Sequence, residues 1–273
     1  MLKQVDTAGH TAKEKPGKPF AIGALIMLMA LSVFYAVQAD TTLVAAPKRE
    51  LPIYCVDRND GKIAISFDAA WGGDQTEEIL NILDAYGVKT TFFLVDIWSE
   101  RFPELVREID RRGHEIGNHS TSHPHMTKLN EDKIAKELTA MDDRLESLIG
   151  KRSALFRPPY GDYNNRVVLT ARAQGYEVIQ WSVDSLDWKN RGVDDLVQKA
   201  TRNVKSGDII LFHNDSKYIL PALPKVLDSL QKQGFEIVPV SQLLLDGKTT
   251  IDTQGRQKAV PNTVPEVENH DGN

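Results

Sequence analysis

The chain has 273 residues, 41% hydrophobic and 26% charged, with a formal net charge of −5. That length supports one sizeable domain with appendages, and an acidic balance with no long basic stripe argues against nucleic acid as a partner. A single cysteine, Cys55, excludes an internal disulfide and a cysteine-rich metal site, which leaves histidines and carboxylates as the reactive inventory.

Residues 1–19 form a lysine-bearing N-terminus (Lys3, Lys13, Lys15, Lys18) ahead of an apolar run. From Phe20 to Val37, "FAIGALIMLMALSVFYAV", eighteen residues pass without a charge. As a helix they would measure about 27 Å, against a hydrocarbon core of roughly 30 Å. We read residues 20–38 as a transmembrane helix with a cytoplasmic N-terminus, which puts the remainder outside the cytoplasm. The second reading is a signal peptide with a cleavage site at Val37-Gln38-Ala39, giving a secreted protein. Residues 39–60 mix polarities around two prolines, the composition of a linker.

A regular alternation begins at Lys62 and lasts to about Leu245. The β-rich runs are "KIAISFD", "KTTFFLV", "HEIGNH", "ALFRPP", "YEVIQWSV", "DIILFH" and "FEIVPVS". Helical runs lie between them, among them "TEEILNILDAYG", "PELVREIDRRG", "EDKIAKELTAMDDRLESLIG" and "VDDLVQKATRNVKSG". Several of these end in Gly (Gly87, Gly113, Gly150, Gly207), which terminates helices in a left-handed conformation. Strand then helix, repeated about seven times, predicts an α/β fold with a parallel sheet and outer helices. A distorted parallel (β/α) barrel of about seven strands is the expected architecture, with a doubly wound open sheet as the alternative. Residues 246–273 are polar and unpatterned and read as a disordered tail.

The chemistry gathers where the predicted strands end, the position at which parallel α/β barrels build their sites. "GHEIGNHSTSHPHMTKL" holds four of the seven histidines. Its Ser, Thr, Asn and Pro make a poor helix interior, so His119 and His123 belong to a strand-to-loop exit. Such a pair suits Zn²⁺, Co²⁺ or Ni²⁺. The first strand ends at Asp68, the fourth in Arg157-Pro158-Pro159-Tyr160, the fifth in Asp184 through Asp187-Trp188, and the sixth in His213. Each also has a plainer reading: Asp68 as a loop cap, His213 as a core histidine, Arg157 at the surface, Trp188 in the core. The charges from Glu131 to Lys151 read as the solvated face of a helix.

Taken in order, "SFDAAW", "HSTSHPH", "RPPYGDYN", "DSLDW" and "IILFH" resemble the five motifs of the polysaccharide deacetylases, carbohydrate esterase family 4 with its NodB homology domain. The resemblance spans residues 61–245 and is nearest to the sporulation-associated, membrane-anchored peptidoglycan deacetylase branch. It implies a NodB-like barrel and a hydrolase that removes N-acetyl groups from cell-wall amino sugars. It further implies a divalent metal, usually zinc, on His119 and His123, with Asp68 as general base and Arg157 holding Asp68 ionised. His213 would be the general acid, oriented by Asp187. The Tyr160 N–H would stabilise the oxyanion, and Trp188 and Leu211 would shape the acetyl pocket. One position departs from the family pattern: Ala69 stands where a second aspartate usually ligates the metal. Either Asp68 or water fills the third position, or Asp74 reaches back across Gly72-Gly73, or the metal is weakly held or absent. Two other functions are carried forward: a metal-poor glycan-binding scaffold, motivated by Ala69, and a deacylase of another amide.

Overall fold

In a computed structural model, the described residues are 23, 25–32 and 48–261. The chain divides into two units, residues 1–48 and 49–273. Within the first, residues 25–32 are helical and the side chains of Leu25, Ile26, Met27, Leu28 and Met29 are exposed. Most of the predicted span 20–38 lies outside the described residues. Among the described residues no helix is long and apolar enough to cross a membrane.

The second unit runs β1 (Cys55–Val56), β2 (Lys62–Ala69), α1 (Thr76–Ala85), β3 (Thr91–Leu94), α2 (Asp96–Arg101), α3 (Pro103–Arg111) and β4 (Glu115–Asn118). It continues with α4 (Glu131–Ile149), β5 (Leu155–Phe156), α5 (Asn165–Ala173), β6 (Glu177–Val178), β7 (Val183–Asp184) and α6 (Val193–Thr201). Last come β8 (Ile209–His213), α7 (Ile219–Lys232), β9 (Glu236–Ile237), α8 (Val240–Leu243), β10 (Thr249–Ile251) and β11 (Arg256–Ala259). Seven strands form one parallel sheet in the order β6-β5-β4-β3-β2-β8-β7, with β9 paired to the start of β2. The run "YEVIQWSV", expected as one strand, is two: β6 on one edge and β7 on the other. Only residues 179–182 separate them, at most about 18 Å of extended chain. The sheet therefore curls until its edges nearly meet, an incompletely closed barrel.

Period-2 alternation on the central strand sorts its side chains into two layers. Ile63, Ile65, Phe67 and Ala69 join the outer core with Leu80 and Leu83 of α1 and Leu223 and Leu227 of α7. Ala64 joins the inner core with Phe93, Leu155, Ile179 and Ile209, closed at one end by Val240 and Leu243. Ser66 also faces inward, its hydroxyl donating to the Ile210 carbonyl at 3.0 Å. Asp68 comes next on this face and is the residue that reaches the open end.

Two expectations about the flanks need correcting. Residues 50–60, read as part of a linker, belong to the domain. Ile53 is buried in the seam between the sheet edges, its N–H on the Val178 carbonyl and its carbonyl accepting from Gln180 N–H. Residues 246–261, read as the start of a disordered tail, instead form a three-stranded sheet β1-β11-β10, with β1 and β11 parallel and β10 and β11 antiparallel. The cause is non-local pairing: Cys55 and Val56 register with Arg256 and Gln257, and buried Gln257 takes the Leu245 N–H. Gly207 makes this approach possible, because a Cβ there would lie 1.9 Å from the Val56 carbonyl oxygen.

Candidate active site

Parallel registry brings the strand ends to one rim. Asp68 on β2 lies opposite His213 on β8, Leu94 opposite Asn118, and Asn118 opposite Phe156. His119 and Arg157 are thus the first residues beyond their strands. The rim opens into a cleft of about 670 Å³ lined by Asp68, His119, His123, Tyr160, Trp188 and His213, with Leu211 in its wall. Arg157 and Asp187 sit buried behind Asp68 and His213 and bond to them directly. Every residue the resemblance assigns to catalysis or substrate therefore gathers here. Asp74 does not: it is exposed and outside the cleft. Gly72 and Gly73 serve close packing instead, since a Cβ on Gly73 would meet the Phe102 ring at 2.9 Å and one on Gly72 the Asp215 Cβ at 3.1 Å.

One half of the site centres on Asp68. Arg157, with no exposed surface, donates from Nη1 to Asp68 Oδ1 at 2.7 Å and from Nη2 to the Gln180 carbonyl at 3.1 Å. Its guanidinium carbon lies 4.0 Å from the centre of the Phe93 ring, a cation–π contact in a desolvated place. Burial alone would push the Asp68 carboxyl upward. The charge of Arg157, with His213 adding to it, outweighs burial and holds Asp68 below the usual carboxylate range. His119 Nδ1 meets the Arg157 carbonyl at 2.7 Å, which makes Nδ1–H the donor and turns the Nε2 lone pair toward Asp68 Oδ2, 3.5 Å away.

The other half centres on His213. Asp187, fully enclosed, accepts from the His213 backbone N–H at 2.7 Å and pairs with His213 Nδ1 at 2.8 Å. The Trp188 N–H donates to the same carboxylate at 2.8 Å, and Leu186 reaches this turn with φ 53°. Burial disfavours a charged His213, but the hydrogen bond and charge of Asp187 prevail and raise it to about 9. The ring is a proton donor across the neutral range.

The loop that carries the histidine pair is held by residues the sequence did not advertise. Asn118 accepts the Ser120 N–H and donates to the Leu138 carbonyl and Tyr176 hydroxyl. Glu137 on α4 accepts from the Thr121 and Ser122 N–H groups at 3.0 and 2.8 Å and from the Ser122 hydroxyl at 2.8 Å. This corrects the reading of Glu131–Lys151 as solvated surface: one carboxylate of that helix clamps the loop between His119 and His123. The clamp tolerates left-handed backbone at Ser120 (φ 72°) and His123 (φ 55°), which an isolated loop would avoid. A run of Thr and Ser N–H groups without a local cap is the one signal that could have called for such a partner.

These residues fit a divalent cation in part. Burial keeps His119 neutral and drops His123 to about 4, so both rings offer lone pairs. Their centres are 5.0 Å apart, and His123 Nδ1 is buried without a partner. His119 Nε2 and Asp68 Oδ2 are two acceptors facing each other with no proton between them. Their 3.5 Å separation matches the roughly 3.4 Å between two ligands each ~2.1 Å from a tetrahedral ion. No ready group of three ligating side chains occurs among the described residues. Ala69 is fully buried in the outer core, while Asp68 and Ala70 line the cleft. Of the open third-ligand choices, the geometry favours Asp68.

Comparison with known proteins places the sequence and the fold. Residues 56–179 match the family model described as polysaccharide deacetylase. The chain is 38% identical over 194 residues to the peptidoglycan-N-acetylglucosamine deacetylase of Bacillus cereus, covering 69% of this chain and 91% of that protein. It is 33% identical over 202 residues to the peptidoglycan-N-acetylmuramic acid deacetylase PdaC of Bacillus subtilis, covering 74% and 42%. Among solved structures it is similar to a CE4 family pseudoenzyme from Bacillus anthracis, with TM-score 0.68 and 31% identity over 70% of this chain and 68% of that one. A mutant of that protein with restored enzymatic activity superposes equally well, at TM-score 0.68. Fold and sequence agree, and the chain belongs to the polysaccharide deacetylase family.

Proposed function

We propose that this protein hydrolyses the N-acetyl groups of amino sugars in peptidoglycan. The observation that carries the reading is the division of one cleft into two chemical halves: an ionised Asp68 held by Arg157, and a protonated His213 held by Asp187, adjacent across two paired strands. Amide hydrolysis needs a base for water, a donor for the oxyanion and an acid for the departing nitrogen. Asp68 takes a proton from water as its oxygen adds to the acetyl carbon. The Tyr160 N–H, on a cleft residue turned into left-handed backbone at φ 59°, donates to the carbonyl oxygen. His213 delivers its Nε2 proton to the nitrogen as the C–N bond breaks, releasing acetate and a free amine. Trp188 and Leu211 bound the acetyl methyl. A divalent cation, most suitably zinc, held by His119 and His123 with Asp68 beside them, would supply Lewis acidity toward the water and the carbonyl.

The location follows from the N-terminus: the uncharged run 20–38 anchors the chain in the membrane and leaves the deacetylase domain outside, facing the wall. A place in sporulation rests on the likeness of the "FDAAWG" opening to that branch. The second reading, a scaffold that holds glycan without turning it over, is favoured by Ala69 and by the likeness to the Bacillus anthracis pseudoenzyme. Acetate release from an N-acetylglucosamine polymer by the zinc-supplied full chain separates them: release that disappears in His213→Ala supports the enzyme, and no release from wild type supports the scaffold.

A further inference from the structure

Beyond residue 48, five large apolar side chains are exposed among the described residues: Trp71, Ile97, Tyr160, Leu169 and Trp188. All three aromatic ones, 58%, 58% and 56% exposed, line the same cleft. Tyr160 and Trp188 belong to the proposed machinery. Trp71 does not, yet it is mounted with care. The carbonyl of the next residue, Gly72, accepts from Trp98 Nε1 at 2.8 Å and from Asn214 Nδ2 at 2.7 Å. Gln75 Nε2 ties the same loop to the Ser216 carbonyl at 3.1 Å, and the glycines pack it against Phe102 and Asp215. A buried scaffold thus holds an indole out in water, where it loses the apolar burial that usually rewards tryptophan.

Strand order places the two indoles on different flanks. Trp71 leaves β2 and meets His123 edge-on, 5.7 Å between ring centres at 68°, on the side of β4 and β5. Trp188 follows β7 on the far side of β8, beside Asp187, with the Lys189 ammonium 4.8 Å from its ring centre. The reacting groups Asp68 and His213 lie between these flanks. Flat aromatic faces in water suit the apolar C–H faces of pyranose rings.

We propose that Trp71 is a sugar-stacking platform, so that the cleft grips a stretch of β-linked N-acetylhexosamine chain rather than a single sugar. The inference rests on the deacetylase reading for the identity of the polymer, but it concerns binding alone. The test is calorimetric titration of wild type, Trp71→Ala and Trp71→Leu with N-acetylglucosamine and with its β-1,4 tetramer. Trp71→Ala is expected to weaken the tetramer about tenfold, ~1.4 kcal/mol, while changing the monomer less than about twofold. Trp71→Leu keeps an apolar side chain without a flat face and is expected to lose nearly as much. Equal losses for monomer and tetramer, an unchanged tetramer affinity, or full retention in Trp71→Leu would each overturn the platform. Acetate release measured beside the titration keeps the two ideas apart: length-dependent binding that needs Trp71, without acetate from wild type, would sink the deacetylase reading and leave the platform standing.

Discussion

Replacing Asp187 by Asn tests how the acid is made. The carboxylate touches His213 twice, at Nδ1 (2.8 Å) and at the backbone N–H (2.7 Å), and raises the ring to about 9 against an ordinary 6.5. That gap corresponds to about 3 kcal/mol of preference for the charged ring. Asn removes that charge and leaves the burial, which favours the neutral form, with the Asp68 and Asp215 carboxylates still favouring the charged ring, so the ring should titrate well below 9, toward its ordinary 6.5. For a full return to 6.5, the protonated fraction at pH 7.5 falls from about 97% to ~9%. A loss of kcat of about tenfold follows, with more from a less well oriented ring. The assay is acetate release against pH, with the His213 imidazole titration followed by NMR. The alkaline limb of kcat should move from about 9 in wild type toward 6.5 in Asp187→Asn. If the limb and the imidazole titration stay near 9, the charge of Asp187 is not what keeps His213 protonated. Stability follows the same sign: a raised histidine stabilises the fold fully below 6.5 and loses that contribution as pH rises through about 9.

Other perturbations act on separate parts of the site. Arg157→Met leaves the Asp68 carboxylate buried without its partner and should cost about 3–5 kcal/mol, read as a lower denaturant midpoint with activity abolished. Glu137→Ala frees the loop between His119 and His123 and should weaken zinc about 10–100-fold by titration, whereas Glu137→Gln, which keeps an acceptor, should recover part of the loss. Ending the chain at Asp246 removes β10 and β11 and uncovers β1, so thermal unfolding should fall by about 4 °C or more. No change would mean that the second sheet contributes nothing.

The sequence disclosed the site better than its setting. Asp68, His119, Arg157 and His213 were found because each closes a β-rich run, and parallel pairing puts such ends together. The long β2 and the helices α1, α3 and α4 carry enough periodicity to be seen within a residue or two of their bounds. Of the two-residue strands, β5, β6, β7 and β9 fall inside β-rich runs, but β6 and β7 read as one strand and β1 reads as linker, because two residues cannot show alternation and their pairing is set by distant neighbours. Residues 50–60 and 246–261 looked unstructured for that reason: their strands pair with each other across the length of the domain. Glu137 was hidden differently. On α4 it sits among other charges, and only the loop above it distinguishes a clamp from a solvated carboxylate.

The most direct measurement compares acetate released from an N-acetylglucosamine polymer by wild type, Asp68→Asn, His213→Ala and the double variant, each zinc-supplied and with folding checked. Base and acid acting in one turnover predict that each single change lowers kcat by about 10²–10⁴, with the double variant little worse than either alone. Turnover at the wild-type rate in either single variant would contradict that pairing, and multiplying losses in the double variant would show that the two groups do not work together in this cleft.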